Sequence, residues 1–382
     1  MLIKKRGLFL LSSIFLAFLV ILGLALCFPN ITTKTPFTLY EEIYSVSSEF
    51  NDKIGEIDKV VYGALFQMGV EEKDVFFLNV IPSYEREYEW DYTELLINLP
   101  NREHAVALQK IIDVGLWELG PSVTFDTEMS SASEIVYRIY VLGLFVHKIG
   151  LRYGEQLKID REAVPKVAII IDDIGYDTDL AISFMELDIP LSLSVLPWAP
   201  RTEEIVNIAN SRRSELLLHL PMQPKNYPDL DPGPGALLVD MDEQRIRSII
   251  GEDIKQVPGL RGVNNHMGSC FTERSDKMRI VLEEVKERDL FYLDSRTTTR
   301  TVAFDLAKEM GVPAVKKSIF LDNEVSSAAI KLQMERLLGI ARSSGEAVGI
   351  AHPHKETVKV IQDYTYKLKT EFKVVPVSEL AE

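Results

Sequence analysis

Cysteine is nearly missing from this chain. Its two cysteines, Cys27 and Cys270, stand far apart in a sequence of 382 residues, so no disulfide framework can be read. None is needed, because a chain of this length supplies ample core for two domains. Basic residues are also in deficit: 42 Lys and Arg face 57 Asp and Glu, a formal net charge of −15. That balance argues against wrapping nucleic acid, which calls for a basic face, and leaves a neutral substrate such as a sugar open. No glycine-rich phosphate cradle is visible. Histidine is scarce, six residues in all, so any grouping of histidines carries weight.

Long apolar runs occur once. "MLIKKRG" supplies three positive charges, and residues 8–28, "LFLLSSIFLAFLVILGLALCF", follow with none. About 20 uncharged residues suffice to cross a hydrocarbon core, so residues 1–30 are expected to be a signal anchor or signal peptide. With Lys4, Lys5 and Arg6 inside, the rest of the chain would lie outside the cytoplasm. It would be membrane-anchored through that helix in the periplasm or cell envelope, or secreted if the signal is cleaved.

Residues 31–37 read as a polar tether and 38–155 as a small α+β domain. Apolar spacings of three and four over 38–68 predict a helix, "DVFFLNVIP" and "WDYTELLINLP" predict strands, "EHAVALQKIIDVGLWELG" a helix, and "EIVYRIYVLGLFVHKIGL" one or two further strands. His104 and His147 stand alone in this part and read as structural. From residue 166 onward, short aliphatic runs such as "KVAIII", "ELLLHL" and "AVGIAH" alternate with charged helical stretches. Seven or eight such units over 166–382 predict a parallel (β/α) barrel, whose chemistry gathers at the carboxyl ends of its strands.

The polar residues follow that rule. Asp172 and Asp173 end the first run, His219 the third, Asn264, Asn265 and His266 the fourth, Asp294 and Ser295 the fifth, and His352 and His354 the seventh. Carboxylate and imidazole together bind divalent ions such as zinc, and a catalytic site leaves one position open for water. Adjacent carboxylates can divide two duties, one coordinating and one accepting a proton. Helix capping near Asp177 is the plainer reading for either acid alone.

The phrases "IIDDIG", "LSLSVLPWAP", "LLLHLPMQP", "DPGPGAL", "GVNNHMGS", "FYLDSRT", "IFLDN" and "GIAHPH", in this order, resemble the divergent polysaccharide deacetylases over about residues 166–378. That resemblance implies a distorted (β/α) barrel and metal-dependent removal of acetyl groups from sugars. It makes Asp172 the general base, Asp173 and His219 metal ligands, and His352 the general acid, with His354 a supporting partner or alternative acid. The family pattern has a second histidine four residues after the first, where this chain has Gln223. His266 is the preferred replacement, because an amide oxygen is a poor zinc ligand. Trp198 is a candidate platform for a pyranose ring, although core packing explains it equally. Asn264, Asn265, Asp294, Ser295 and Arg296 are candidates for orienting His352 or the sugar, although caps and turns also explain some of them. Residues 221–238 are too long for an ordinary connection and are expected to form a wall or lid. Asp322 reads as a cap. The competing expectation is a barrel that has lost its reaction and serves as a glycan-binding or envelope scaffolding module.

Overall fold

The computed structural model describes residues 48–157 and 163–382. The apolar stretch and the tether lie outside them. Among the described residues no helix is long and apolar enough to cross a membrane. The expected membrane helix, membrane partner and anchored extracytoplasmic location are corrected accordingly, since nothing in the described structure carries them.

The first module comprises α1 (Ser48–Gln67), β1 (Val75–Glu85), β2 (Tyr88–Leu99), α2 (Arg102–Glu118), β3 (Val123–Ser131), β4 (Glu134–Val141) and β5 (Leu144–Tyr153). Its strands form one sheet in the order β1-β2-β5-β4-β3, antiparallel except where β2 meets β5. Leu142 and Gly143, both at positive φ, make the two-residue turn that separates β4 from β5. Leu108, Ile112 and Leu116, one stripe of α2, are fully buried with Phe50 and Ile57 of α1 in one apolar cluster with the sheet. β3 was not expected, because "VTFDTEMSS" is polar at most of its positions and exposed along most of its length.

The second module runs β6 (Lys166–Ile174), α3 (Thr178–Met185), β7 (Ser192–Val195), α4 (Thr202–Arg212), β8 (Glu215–Met222), α5 (Glu243–Gln256), β9 (Gly262–Met267), α6 (Ser275–Glu287), β10 (Phe291–Asp294), α7 (Ala303–Met310), β11 (Ala314–Lys316), β12 (Ile319–Phe320), α8 (Ser327–Ser344), β13 (Glu346–Ala351), α9 (Lys355–Glu371) and β14 (Lys373–Val374). The parallel sheet has the order β11-β10-β9-β8-β7-β6-β13-β12, with β14 beside β6. This corrects the expected barrel of seven or eight strands: the sheet curls into a half-barrel and its terminal strands β11 and β12 do not pair. The reason lies in "AVKKSIF", read as one strand. It divides at Lys317 and Ser318 into pieces too short to close a ring, with no crossover helix between them. Lys317 N–H donates to the Asp294 carbonyl and Ser318 N–H to that of Val348, so each piece is tied to its own edge of the sheet.

The period-two alternation of the strands sorts their side chains into two cores. Ile169, Ile171, Leu216, Leu218 and Val263 face the helices. Ala168, Ile170, Leu217, Leu293, Val348 and Ile350 face the concave side, where Val377 and Leu380 from the carboxyl terminus join them. Continuing the alternation toward the carboxyl ends brings Asp172, His219, Asn264, His266 and His352 onto the concave side, above that apolar floor.

Candidate metal centre

Regular alternation would send Asp173 to the helical face. Instead the β6–β7 register shifts between Ile171 and Ile174, and Asp173 takes a left-handed conformation at φ 55°. Such a bulge re-aims a side chain at some cost in backbone strain. It lets both neighbouring carboxylates serve one site. Gly175, at φ 148°, then turns the chain where an added Cβ would lie 2.5 Å from the Ala199 Cβ.

Three buried side chains converge. Asp173 Oδ1 lies 3.0 Å from His266 Nδ1 and 3.2 Å from His219 Nε2. The two imidazole nitrogens are themselves 3.2 Å apart. Both oxygens of Asp173 are buried and accept no hydrogen bond of good geometry. Burial would push this carboxyl up, but the imidazoles of His266 and His219 reverse the sign and hold it well below the usual carboxylate range. A tetrahedral ion with bonds of about 2.0–2.2 Å would set neighbouring ligand atoms roughly 3.3–3.6 Å apart. The observed triangle is within a few tenths of an ångström of that, so the donor set fits a small divalent ion.

The surroundings fix the ligands. The parallel register sets His219 beside Asn264 on the adjacent strand. His219 Nδ1–H donates to Asn264 Oδ1 at 3.0 Å, which turns the lone pair of Nε2 toward Asp173. The Asn264 amide donates to both oxygens of Asp172, at 2.9 and 3.1 Å, and to Ser295 Oγ at 3.1 Å, while Ser194 Oγ donates to Asn264 Oδ1. Gln223 stands apart from this cluster: its Oε1 accepts the Val239 N–H at 2.9 Å, which pins the base of the long loop.

His352 sits on the neighbouring strand, one residue past the pairing of Ala351 with Ile171, and so level with Asp172. Asp322 holds it from two sides, accepting its main-chain N–H at 2.7 Å and facing its Nδ1 at 2.8 Å, and Thr357 Oγ1 donates to the same carboxylate. The sequence reads Asp322 as a cap rather than a ligand; it is not among the clustered ligands, and its carboxylate supports His352. The signal was there, since "FLDN" ends a strand as "IIIDD" does. The His354 ring centroid is 6.4 Å from that of His352, at the amino end of α9.

Three other candidates, Asp294, Asn265 and Arg296, are held by structural contacts. Asp294 accepts the N–H groups of Arg296 and Phe304 and the hydroxyl of Thr301, which fixes the loop after β10. Asn265 bonds the Met267 carbonyl, the Tyr292 hydroxyl and the Ser295 N–H. Arg296 donates to the Lys317 carbonyl and lies 3.9 Å from Asp91 of the first module. Trp198 is 41% exposed, and its Nε1–H donates to the buried Asp253 at 2.5 Å.

A curled parallel α/β sheet that carries an Asp–His–His metal site beside an Asp-supported histidine defines a metal-dependent hydrolase of the carbohydrate deacetylase class. The chain belongs to the divergent polysaccharide deacetylase family, whose model matches residues 169–381. It is 34% identical over 215 residues to the uncharacterized protein YibQ of Escherichia coli K12, covering 56% of this chain and 67% of that one. An uncharacterized protein of Haemophilus influenzae is 31% identical over 218 residues, covering 57% and 77%. Among solved structures, the uncharacterized protein ATU2773 of Agrobacterium tumefaciens C58 superposes with a TM-score of 0.55 at 23% identity, covering 59% of this chain and 92% of that one, a likeness of fold.

Proposed function

We propose that this site removes acetyl groups from a polysaccharide or glycan by hydrolysis, with zinc as the ion. The convergence of Asp173, His219 and His266, with Asp172 next to Asp173 in the chain and His352 level with Asp172 on the adjoining strand, carries the reading. When bound by those three residues, the ion supplies Lewis acidity, lowering the pKa of water and polarising the acetyl carbonyl. Asp172, oriented by the Asn264 amide, takes a proton from the attacking water as its oxygen bonds the carbonyl carbon. His352, steadied by Asp322, gives a proton to the departing amine or alcohol as the bond to the acetyl carbon breaks. Acetate and the freed sugar are the products. Trp198 and Ser295 are proposed to contact or orient the sugar, with His354 near the leaving group. The same reading treats residues 38–155 as one module and 166–382 as the deacetylase module. A half-barrel kept only for scaffolding would not require Asp322 to hold His352 on the strand next to Asp172 and Asp173.

Acetate release from N- and O-acetylated oligosaccharides by the zinc-loaded chain tests this. Asp172→Asn and His352→Ala are expected to lower the rate by about 10²–10⁴-fold while zinc stays bound. Zinc-loaded protein that releases no acetate from any member of the panel would overturn the reading.

A further inference from the structure

The first module has no chemistry of its own in the reading above, yet one of its carboxylates is buried among the loops of the metal centre. Glu89, at the start of β2, is 3% exposed. Its Oε2 accepts the Thr299 N–H at 2.8 Å, the Thr298 hydroxyl at 3.1 Å and the Thr299 hydroxyl at 3.2 Å. Its Oε1 accepts from Lys225 Nζ at 2.5 Å. Burial alone would push this carboxyl up; Lys225 and the Thr299 N–H outweigh burial and keep it below its ordinary value. Lys225 in turn reaches Glu273 at 3.1 Å and the Thr298 hydroxyl at 3.2 Å, and its main-chain N–H donates to Ser269 Oγ at 2.9 Å.

The loops gathered in this way follow β8, β9 and β10. Lys225 follows His219 on the first, Ser269 follows His266 on the second, and Thr298 follows Ser295 on the third. Two of them hang directly from the strands that carry the histidine ligands. Loops of this kind are otherwise the mobile part of an α/β fold. A buried carboxylate that accepts several hydrogen bonds fixes their relative positions, because moving any one loop would strand a charge away from water.

We propose that Glu89 is a positioning residue for the metal centre, through which the first module holds the loops that bear on His219 and His266. The proposal rests on the metal reading above and extends it to the module that precedes the deacetylase fold. It requires that metal affinity and ligand geometry depend on a residue that does not touch the ion.

Zinc affinity and the visible spectrum of the cobalt-substituted full chain test it, with Glu89→Ala and Glu89→Gln compared with the unaltered protein. Arg342→Ala serves as a control. It breaks another contact between the modules, Arg342 to Glu72 at 3.0 Å, at the end of α8 that leads into β13 and away from these loops. Glu89→Ala is expected to weaken zinc binding about tenfold, the lower end of the effect of residues that orient ligands, and to alter the cobalt spectrum. Glu89→Gln retains acceptors for the threonines but loses the ion pair, so an intermediate affinity is expected, and it stands in if the alanine variant does not fold. The control is expected to match the unaltered protein. Unchanged affinity and spectrum in both Glu89 variants would overturn the proposal while leaving the metal reading intact. An unaltered protein that binds neither ion would overturn both.

Discussion

Asn264 joins the two halves of the site: its Oδ1 accepts from His219 Nδ1 at 3.0 Å while its amide nitrogen donates to both oxygens of Asp172. One side chain thus sets the tautomer of a ligand and the orientation of the base. Asn264→Leu keeps approximate volume and removes both services. Zinc affinity measured by competition with a chelator is expected to fall about 10–100-fold. Affinity unchanged by the substitution would show that the Asn264 contact does not orient His219.

Asp322 and His352 form a pair separable from the ion. Asp322→Asn preserves shape but removes the negative charge beside the imidazole and changes which groups can accept its protons. Acetate release is expected to drop by about 10²–10⁴-fold. Zinc content should be unaffected. Loss of zinc together with activity would instead assign Asp322 to the support of the metal.

Asp253 gives the fold a pH dependence. Burial pushes its carboxyl up to about 7, against the hydrogen bond from Trp198, which acts the other way. A carboxyl whose pKa is raised on folding takes up protons as the chain folds. Its stabilising contribution is therefore full below the unfolded value of about 3.9 and lost as pH rises through about 7. Urea unfolding at pH 5 and pH 8 should show Asp253→Asn gaining on the unaltered protein at the higher pH, by about 2–3 kcal/mol. An equal difference at both values would contradict this.

Gly175 lies directly after the acid pair, at a φ that side chains rarely adopt and against Ala199. Gly175→Ala is expected to cost about 1–3 kcal/mol in chemical denaturation through overpacking and backbone strain. A stability within about 0.5 kcal/mol of the unaltered protein would show that the turn has room to relax.

What could be read in advance followed from periodicity. Alternating aliphatic runs and amphipathic helices mark a parallel α/β sheet, and a rule about strand ends is enough to select Asp172, His219 and His266, because alternation aims all three at the concave side. Closure of the sheet was not legible, since "AVKKSIF" has the composition of one strand and its break at Lys317–Ser318 is decided by hydrogen bonds to β10 and β13. Asp173 reaches the site through a left-handed backbone that no hydropathy pattern signals. Asp322 stays outside the ligand set, as the sequence reading has it, but its contact with His352 was not legible, because a carboxylate before a helix has two common uses. Glu89 was invisible, because it reaches the metal loops from 130 or more positions away in the chain.

The central claim is that Asp173, His219 and His266 hold one divalent ion, and metal content of tag-free protein tests it most directly. Elemental analysis after dialysis should find close to one zinc per chain, lost in His266→Ala and in His219→Ala and retained in Gln223→Ala. Protein without bound metal, or metal that survives both histidine substitutions, would contradict the account.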